Sequence, residues 1–124
     1  MKMSTRTHGM LDYTMGIIFI IAPWLFQFDN DGTATWIFII LGVAVIVYSL
    51  LTNYELGAVH MISMPTHLWL DGISGVILAL SPWLFGFADL VYLPHVIFGI
   101  LEIGAALCTR TVPGTSYTTH KPVA

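Results

Sequence analysis

The chain repeats itself. Sliding it by 59 residues lays Thr7, His8, Leu11, Asp12, Gly16, Ile18, Pro23, Trp24, Leu25, Phe26 and Phe28 onto Thr66, His67, Leu70, Asp71, Gly75, Ile77, Pro82, Trp83, Leu84, Phe85 and Phe87, eleven identities in 22 aligned positions. Shared greasiness does not produce that agreement, and a fixed-period repeat constrains the architecture before any local pattern does. The most distinctive stretch, Ala22-Pro23-Trp24-Leu25-Phe26-Gln27-Phe28, returns as Ser81-Pro82-Trp83-Leu84-Phe85-Gly86-Phe87.

What the repeat is made of follows from its solvent. With 56% hydrophobic and 9% charged residues, the chain lies far from the soluble norm of roughly a quarter charged. From residue 10 to 28 only Asp12, Tyr13, Thr14 and Gln27 interrupt an apolar run. About 20 helical residues cross a hydrocarbon core of roughly 30 Å, so this reads as a membrane helix. A signal peptide is the competing reading of a basic start followed by an apolar stretch. Asp12, the lack of a small-x-small cleavage site, and membership of a repeat all oppose it.

The expected organisation is a leader at 1–6, a first helical hairpin at 7–52, a connector at 53–65, a second hairpin at 66–109 and a mobile tail at 110–124. Helices are expected at about 10–28, 36–51, 67–87 and 93–109, with Thr7 and Thr66 as N-caps. Asp29-Asn30-Asp31-Gly32 has the chemistry of a tight polar loop. The second helices correspond at an offset of 57, pairing Gly42 with Gly99 and Thr52 with Thr109. The fold class is therefore all-α, a polytopic membrane protein of four spans built as two tandem parallel repeats.

Sidedness follows from charge. Lys2, Arg6, Arg110 and Lys121 all fall in the tails, whereas the hairpin loops carry Asp29, Asp31 and Asp89. The positive-inside rule puts both termini and the connector in the cytoplasm, in the plasma (inner) membrane, with the Pro-Trp motifs outside. Because each repeat crosses twice, both copies run the same way, about an axis along the membrane normal.

The two Pro-Trp motifs, the Asp-x-x-x-Gly spacing before each, and Pro94-His95 followed by Gly99 and Glu102 resemble the SPW-repeat integral membrane proteins of prokaryotes. The resemblance covers both repeats. It implies a small polytopic membrane protein and no agreed biochemical activity. The second copy keeps Ser81-Pro82-Trp83, whereas the first has Ala22 before Pro23 and Trp24.

Each proline must kink or end its helix, leaving the carbonyls of Phe19 and Leu78 in need of another donor. Trp24 and Trp83 are expected to anchor at the headgroup level, the sharper alternative being two kinks that line a shared pocket or gate.

Ionisable groups inside spans are functional hypotheses by default. His95, Gly99 and Glu102 share one face of the fourth helix, where Val45 replaces Glu102 in the first copy. A proton or cation relay from His95 through Glu102 toward Asp71 is the functional reading. A neutral Glu102 hydrogen-bonded to a neighbouring helix is the bland one. His8 with Asp12, and His67 with Asp71, are i, i+4 pairs near the cytoplasmic end. If the repeats face each other, the four could converge as ligands for a divalent transition metal. Two local His-Asp pairs are the preferred reading, so no metal and no cofactor is assigned. His60 and His120 read as surface residues. Gly16, Gly42, Gly75 with Ala79, and Gly104 with Cys108 read as packing positions, and Met10, Met15, Met61 and Met64 as apolar filling.

Some classes are excluded. Four Lys plus Arg and a net charge of -3 leave no basic surface for nucleic acid. No phosphate loop, dinucleotide fingerprint, nucleophile elbow or zinc-protease helix occurs. The single cysteine rules out an intrachain disulfide. The expected protein is a non-enzymatic scaffold or accessory subunit whose partners are the lipid bilayer and its own copies or a larger membrane complex. Alternatives are a small proton- or ion-coupled transporter or channel acting as an oligomer, and a metal- or quinone-linked redox subunit.

Overall fold

The computed structural model describes residues 2–112. The expected tail, with His120 and Lys121, falls almost wholly outside the described residues. Among the described residues four helices form: α1 (Thr5–Leu25), α2 (Thr33–Leu50), α3 (Met64–Leu84) and α4 (Leu93–Leu107). Their number and order match the reading from sequence, but α1 and α3 begin earlier. The N-caps are Ser4 and Ser63, not Thr7 and Thr66. Each serine hydroxyl accepts the amide of the threonine three residues on, at 3.1 Å from Thr7 and 3.3 Å from Thr66. The cap thus satisfies a first-turn amide that would otherwise be orphaned, and Pro65 fits the same turn because no partner exists there for an N–H.

At the other end the prolines terminate their helices. Pro23 and Pro82 sit in the last turn, and the helices stop two residues later at Leu25 and Leu84. The chain then reverses through left-handed Gln27 (φ 61°) and its repeat equivalent Gly86 (φ 74°). Phe28 and Phe87 donate their amides back to the carbonyls of Pro23 and Pro82, at 2.7 and 2.8 Å. Pro82 deprives the Leu78 carbonyl of its helical donor, and the Ser81 hydroxyl supplies one at 2.7 Å. That is the work of the serine in Ser-Pro-Trp, and Ala22 has no hydroxyl with which to do it.

Within each hairpin the helices cross on glycine. A Cβ on Gly42 would stand 2.7 Å from the Gly16 carbonyl oxygen, and one on Gly99 would stand 2.6 Å from that of Gly75. Since Gly16 corresponds to Gly75 and Gly42 to Gly99, the two hairpins use the same crossing. Gly104 is different: among the described residues a Cβ there would meet nothing within 4 Å, so the expected Gly104/Cys108 packing face does not form among them. Met10 and Met61 are exposed rather than filling the interior, while Met64 is buried.

Two single-residue bridges close the ring between hairpins. Met3 pairs in parallel with Thr109, and Ile62 with Thr52. Met3 and Ile62 are repeat equivalents, as are Thr52 and Thr109, so each repeat's start is tied to the other's end. Both repeats therefore run in the same direction, with the N-terminal segment, the connector and the chain after α4 at one end of the bundle. The opposite end holds a phenylalanine-rich core: Phe19, Phe28, Phe38 and Phe87, with Leu78 among them.

By length and composition, α1 and α2 could cross a membrane. α4 is a shorter apolar helix of 15 residues. α3 has 21 residues but buries His67, Asp71, Ser74 and Ser81 along its length.

Candidate polar site between the repeats

The first turns of α1 and α3 each bring a histidine and, one turn later, an aspartate to the bundle interior. All four side chains are buried. The pairs do not stay local. His8 Nε2 lies 3.1 Å from Asp12 Oδ1 in its own helix but 2.6 Å from Asp71 Oδ2 in the other repeat. His67 Nε2 lies 3.2 Å from Asp71 Oδ2 and 3.0 Å from Asp12 Oδ2. The four thus form one cluster about the pseudo-axis, and the preferred reading of two separate His-Asp pairs gives way to it. The reason is burial: a carboxylate in the interior needs more than one donor, and the histidine of the opposite repeat is in reach to supply one.

A second set of side chains fixes the orientation of the four. His8 Nδ1 is 2.7 Å from the Thr109 hydroxyl, and His67 Nδ1 is 2.7 Å from that of Thr52. Each threonine spends its own proton on a helical carbonyl four residues back, Ala105 for Thr109 and Tyr48 for Thr52. Its oxygen can then only accept, so Nδ1 of both imidazoles carries the hydrogen and Nε2 faces the carboxylates. Asp12 Oδ2 accepts the Tyr54 hydroxyl at 2.7 Å, and Asp71 Oδ1 accepts that of Tyr48. In the connector, burial and the charge of Asp12 push the Tyr54 phenol above its usual range.

A cavity of about 550 Å³ adjoins this cluster between α1 and α4. It reaches His8, Asp12 and Asp71 at one side and is walled by Met15, Leu101 and Glu102. Its origin lies in a difference between the repeats. Tyr48, which stacks edge-on against His67 between α2 and α3, corresponds at the 57-residue offset to Ala105. Where one interface has a phenol, the other has only a methyl, and Glu102 stands where the first copy has Val45.

A family model, the SPW repeat domain, matches residues 6–109. The chain belongs to the SPW repeat family. Membership agrees with the resemblance read from the Pro-Trp motifs, and with the two apolar helices it suggests a membrane protein whose activity the family does not name. No curated protein and no solved structure matches the chain significantly.

The SPW motifs themselves stand apart from the polar cluster. Trp24 and Trp83 are 58% and 59% exposed and face outward, as anchoring residues do, while Pro23, Pro82 and Ser81 are buried in the terminal turns. His95 is also distant from the cluster in role. It is fully buried, donates Nε2–H to the Ala34 carbonyl at 2.9 Å, and packs against Phe28, Phe38 and Phe87. It holds the position that Phe38 holds in the first SPW copy. Glu102 is part-buried, and among the described residues its Oε1 has no hydrogen-bonding partner. His60 is exposed, as expected, and His120 lies outside the described residues.

Sequence reasoning missed Tyr48, Tyr54 and the use of Thr52 and Thr109. The threonines were findable, because they are identical between the SPW copies at the 57-residue offset, where most neighbours differ. The tyrosines break the repeat and carry no such signal.

Proposed function

We propose that this SPW-repeat chain is a four-span, non-enzymatic integral membrane protein acting as a scaffold or accessory subunit, with both termini in the cytoplasm. One observation carries the reading: the bundle is inside out for water. Ile17, Ile21, Ile40, Val47, Ile73, Leu80, Ile97 and Ile100 are exposed on all four helices, while His8, Asp12, His67 and Asp71 are buried. A soluble protein rarely exposes so continuous an apolar surface, but lipid demands one. The positive residues Lys2, Arg6 and Arg110 lie at the cluster end, which supports placing that end inside. A surface this apolar on a small bundle also suits self-association or docking in a larger membrane complex.

The test has two parts. A periplasm-active reporter fused after Arg110 should be silent, and activity there would reverse the orientation. Purified protein in liposomes should leave an imposed proton gradient intact. Dissipation abolished by Glu102→Gln would replace the scaffold with the second reading, proton- or ion-coupled transport. That reading draws on one observation, the unpartnered Glu102 oxygen beside a cavity that touches the His-Asp cluster.

A further inference from the structure

We propose that His8, Asp12, His67 and Asp71 bind one divalent first-row transition metal ion of the zinc class, at the seam between the two repeats. The inference goes beyond the membrane reading and stands whether or not the scaffold role holds.

Three independent features point to an ion. The first is convergence: one ligand atom from each of the four residues can be chosen so that all lie within 4.8 Å of one another. Tetrahedral zinc sites with bonds of about 2.0 to 2.2 Å place neighbouring donors roughly 3.3 Å apart. His8 Nε2 lies 3.1 Å from Asp12 Oδ1 and 2.6 Å from Asp71 Oδ2, and His67 Nε2 lies 3.2 Å from Asp71 Oδ2, each within 1 Å of that spacing, while the contact of His67 with Asp12, at 3.0 Å, is to the other oxygen, Oδ2, so Asp12 has to turn for all four to meet one ion. The second feature is a nitrogen without an aligned partner. His67 Nε2 is completely buried, 3.0 Å from Asp12 Oδ2 and 3.2 Å from Asp71 Oδ2, yet among the described residues it makes no well-aligned hydrogen bond. A buried nitrogen aimed between two carboxylate oxygens has the direction a metal ligand needs.

The third feature is the outer set of contacts. Metal-binding histidines present one ring nitrogen to the ion and donate the other N–H to an oxygen, which fixes tautomer and ring orientation. Thr109 and Thr52 do this for His8 and His67, leaving both Nε2 atoms directed inward. Tyr48 and Tyr54 likewise hold one oxygen of each carboxylate.

The donor set selects the ion class. Two imidazole nitrogens and two carboxylate oxygens suit borderline divalent transition ions, while calcium and magnesium prefer all-oxygen sites of higher coordination. A doubly positive ion also neutralises the two aspartates, which matters in an interior that screens charge poorly. The cavity between α1 and α4 gives an access route to His8, Asp12 and Asp71, with Glu102 on its wall.

The experiment uses the full chain, purified in detergent without a polyhistidine tag, stripped with chelator and reloaded with Zn2+ or Co2+. The expected result is one Zn2+ retained per chain after desalting, a higher Tm than the stripped protein, and visible d–d absorption on Co2+ loading. Asp71→Asn and His67→Gln should each lose the ion. Thr52→Val with Thr109→Val keeps all four ligands and should weaken affinity about 10- to 100-fold. Should the ligand variants fail to fold, this threonine pair decides. A helical, monodisperse wild-type chain that retains less than a tenth of an equivalent overturns the proposal, as does wild-type affinity in the threonine pair or wild-type retention in either folded ligand variant.

Discussion

His8 and Asp71 are 63 residues apart and belong to different repeats, yet His8 Nε2 lies closer to Asp71 Oδ2, at 2.6 Å, than to Asp12 one turn along its own helix, at 3.1 Å. The polar seam therefore joins the hairpins rather than decorating each. Removing one partner of such a buried pair costs about 3 to 5 kcal/mol, because the other is left uncompensated. Asp71→Ala and His8→Ala are each expected to destabilise on that scale, and the double variant by clearly less than their sum. Thermal or denaturant unfolding in detergent, analysed as a double-mutant cycle, checks this.

The glycine crossings make a sharper comparison. Gly99→Ala would place a methyl carbon 2.6 Å from the Gly75 oxygen and 2.6 Å from the Ala79 nitrogen, which are backbone atoms that cannot swing aside. The α3–α4 hairpin has to splay, at a cost of about 1 to 3 kcal/mol. Gly104→Ala, in the same helix with open space around it, should be neutral or slightly stabilising. Equal Tm values for the two variants would contradict the close crossing.

Ser81→Ala removes the hydroxyl that donates to the Leu78 carbonyl. The carbonyl is then left with neither helical amide nor side-chain donor, and stability should fall by about 1 to 3 kcal/mol. The apolar change itself makes the segment more hydrophobic, so a rise in Tm would show that the serine serves something other than this carbonyl.

Tyr54 supplies a pH dependence with a definite sign. Its phenol is held above the usual value of 10.0 by burial and by Asp12, so the folded chain keeps the proton after the unfolded chain has lost it. The stability that Tyr54 contributes is complete below about pH 10 and is lost as pH rises from there toward the folded-state pKa. Tyr54→Phe should be less stable than wild type at neutral pH, and the gap should narrow as pH climbs past 10. A gap that stays constant to pH 11.5 would place the phenol elsewhere.

The sequence by itself determined the duplication, the four helices and their order, and the like direction of the halves. These follow from quantities written along the chain: a 59-residue identity pattern, apolar runs of span length, and prolines at matched positions. It also placed Trp24 and Trp83 at helix ends, since a proline one residue earlier cannot continue a helix for long. The helix starts were missed because Ser4 and Ser63 cap from outside the apolar run, where periodicity carries no information. Only the tertiary structure decided that His8 and Asp12 look across to His67 and Asp71, that Tyr48 and Tyr54 hold the carboxylates, and that Ala105 leaves a cavity beside Glu102. Those outcomes depend on which faces of distant helices meet, and in a chain that is apolar nearly all round, no hydrophobic stripe announces the face in advance.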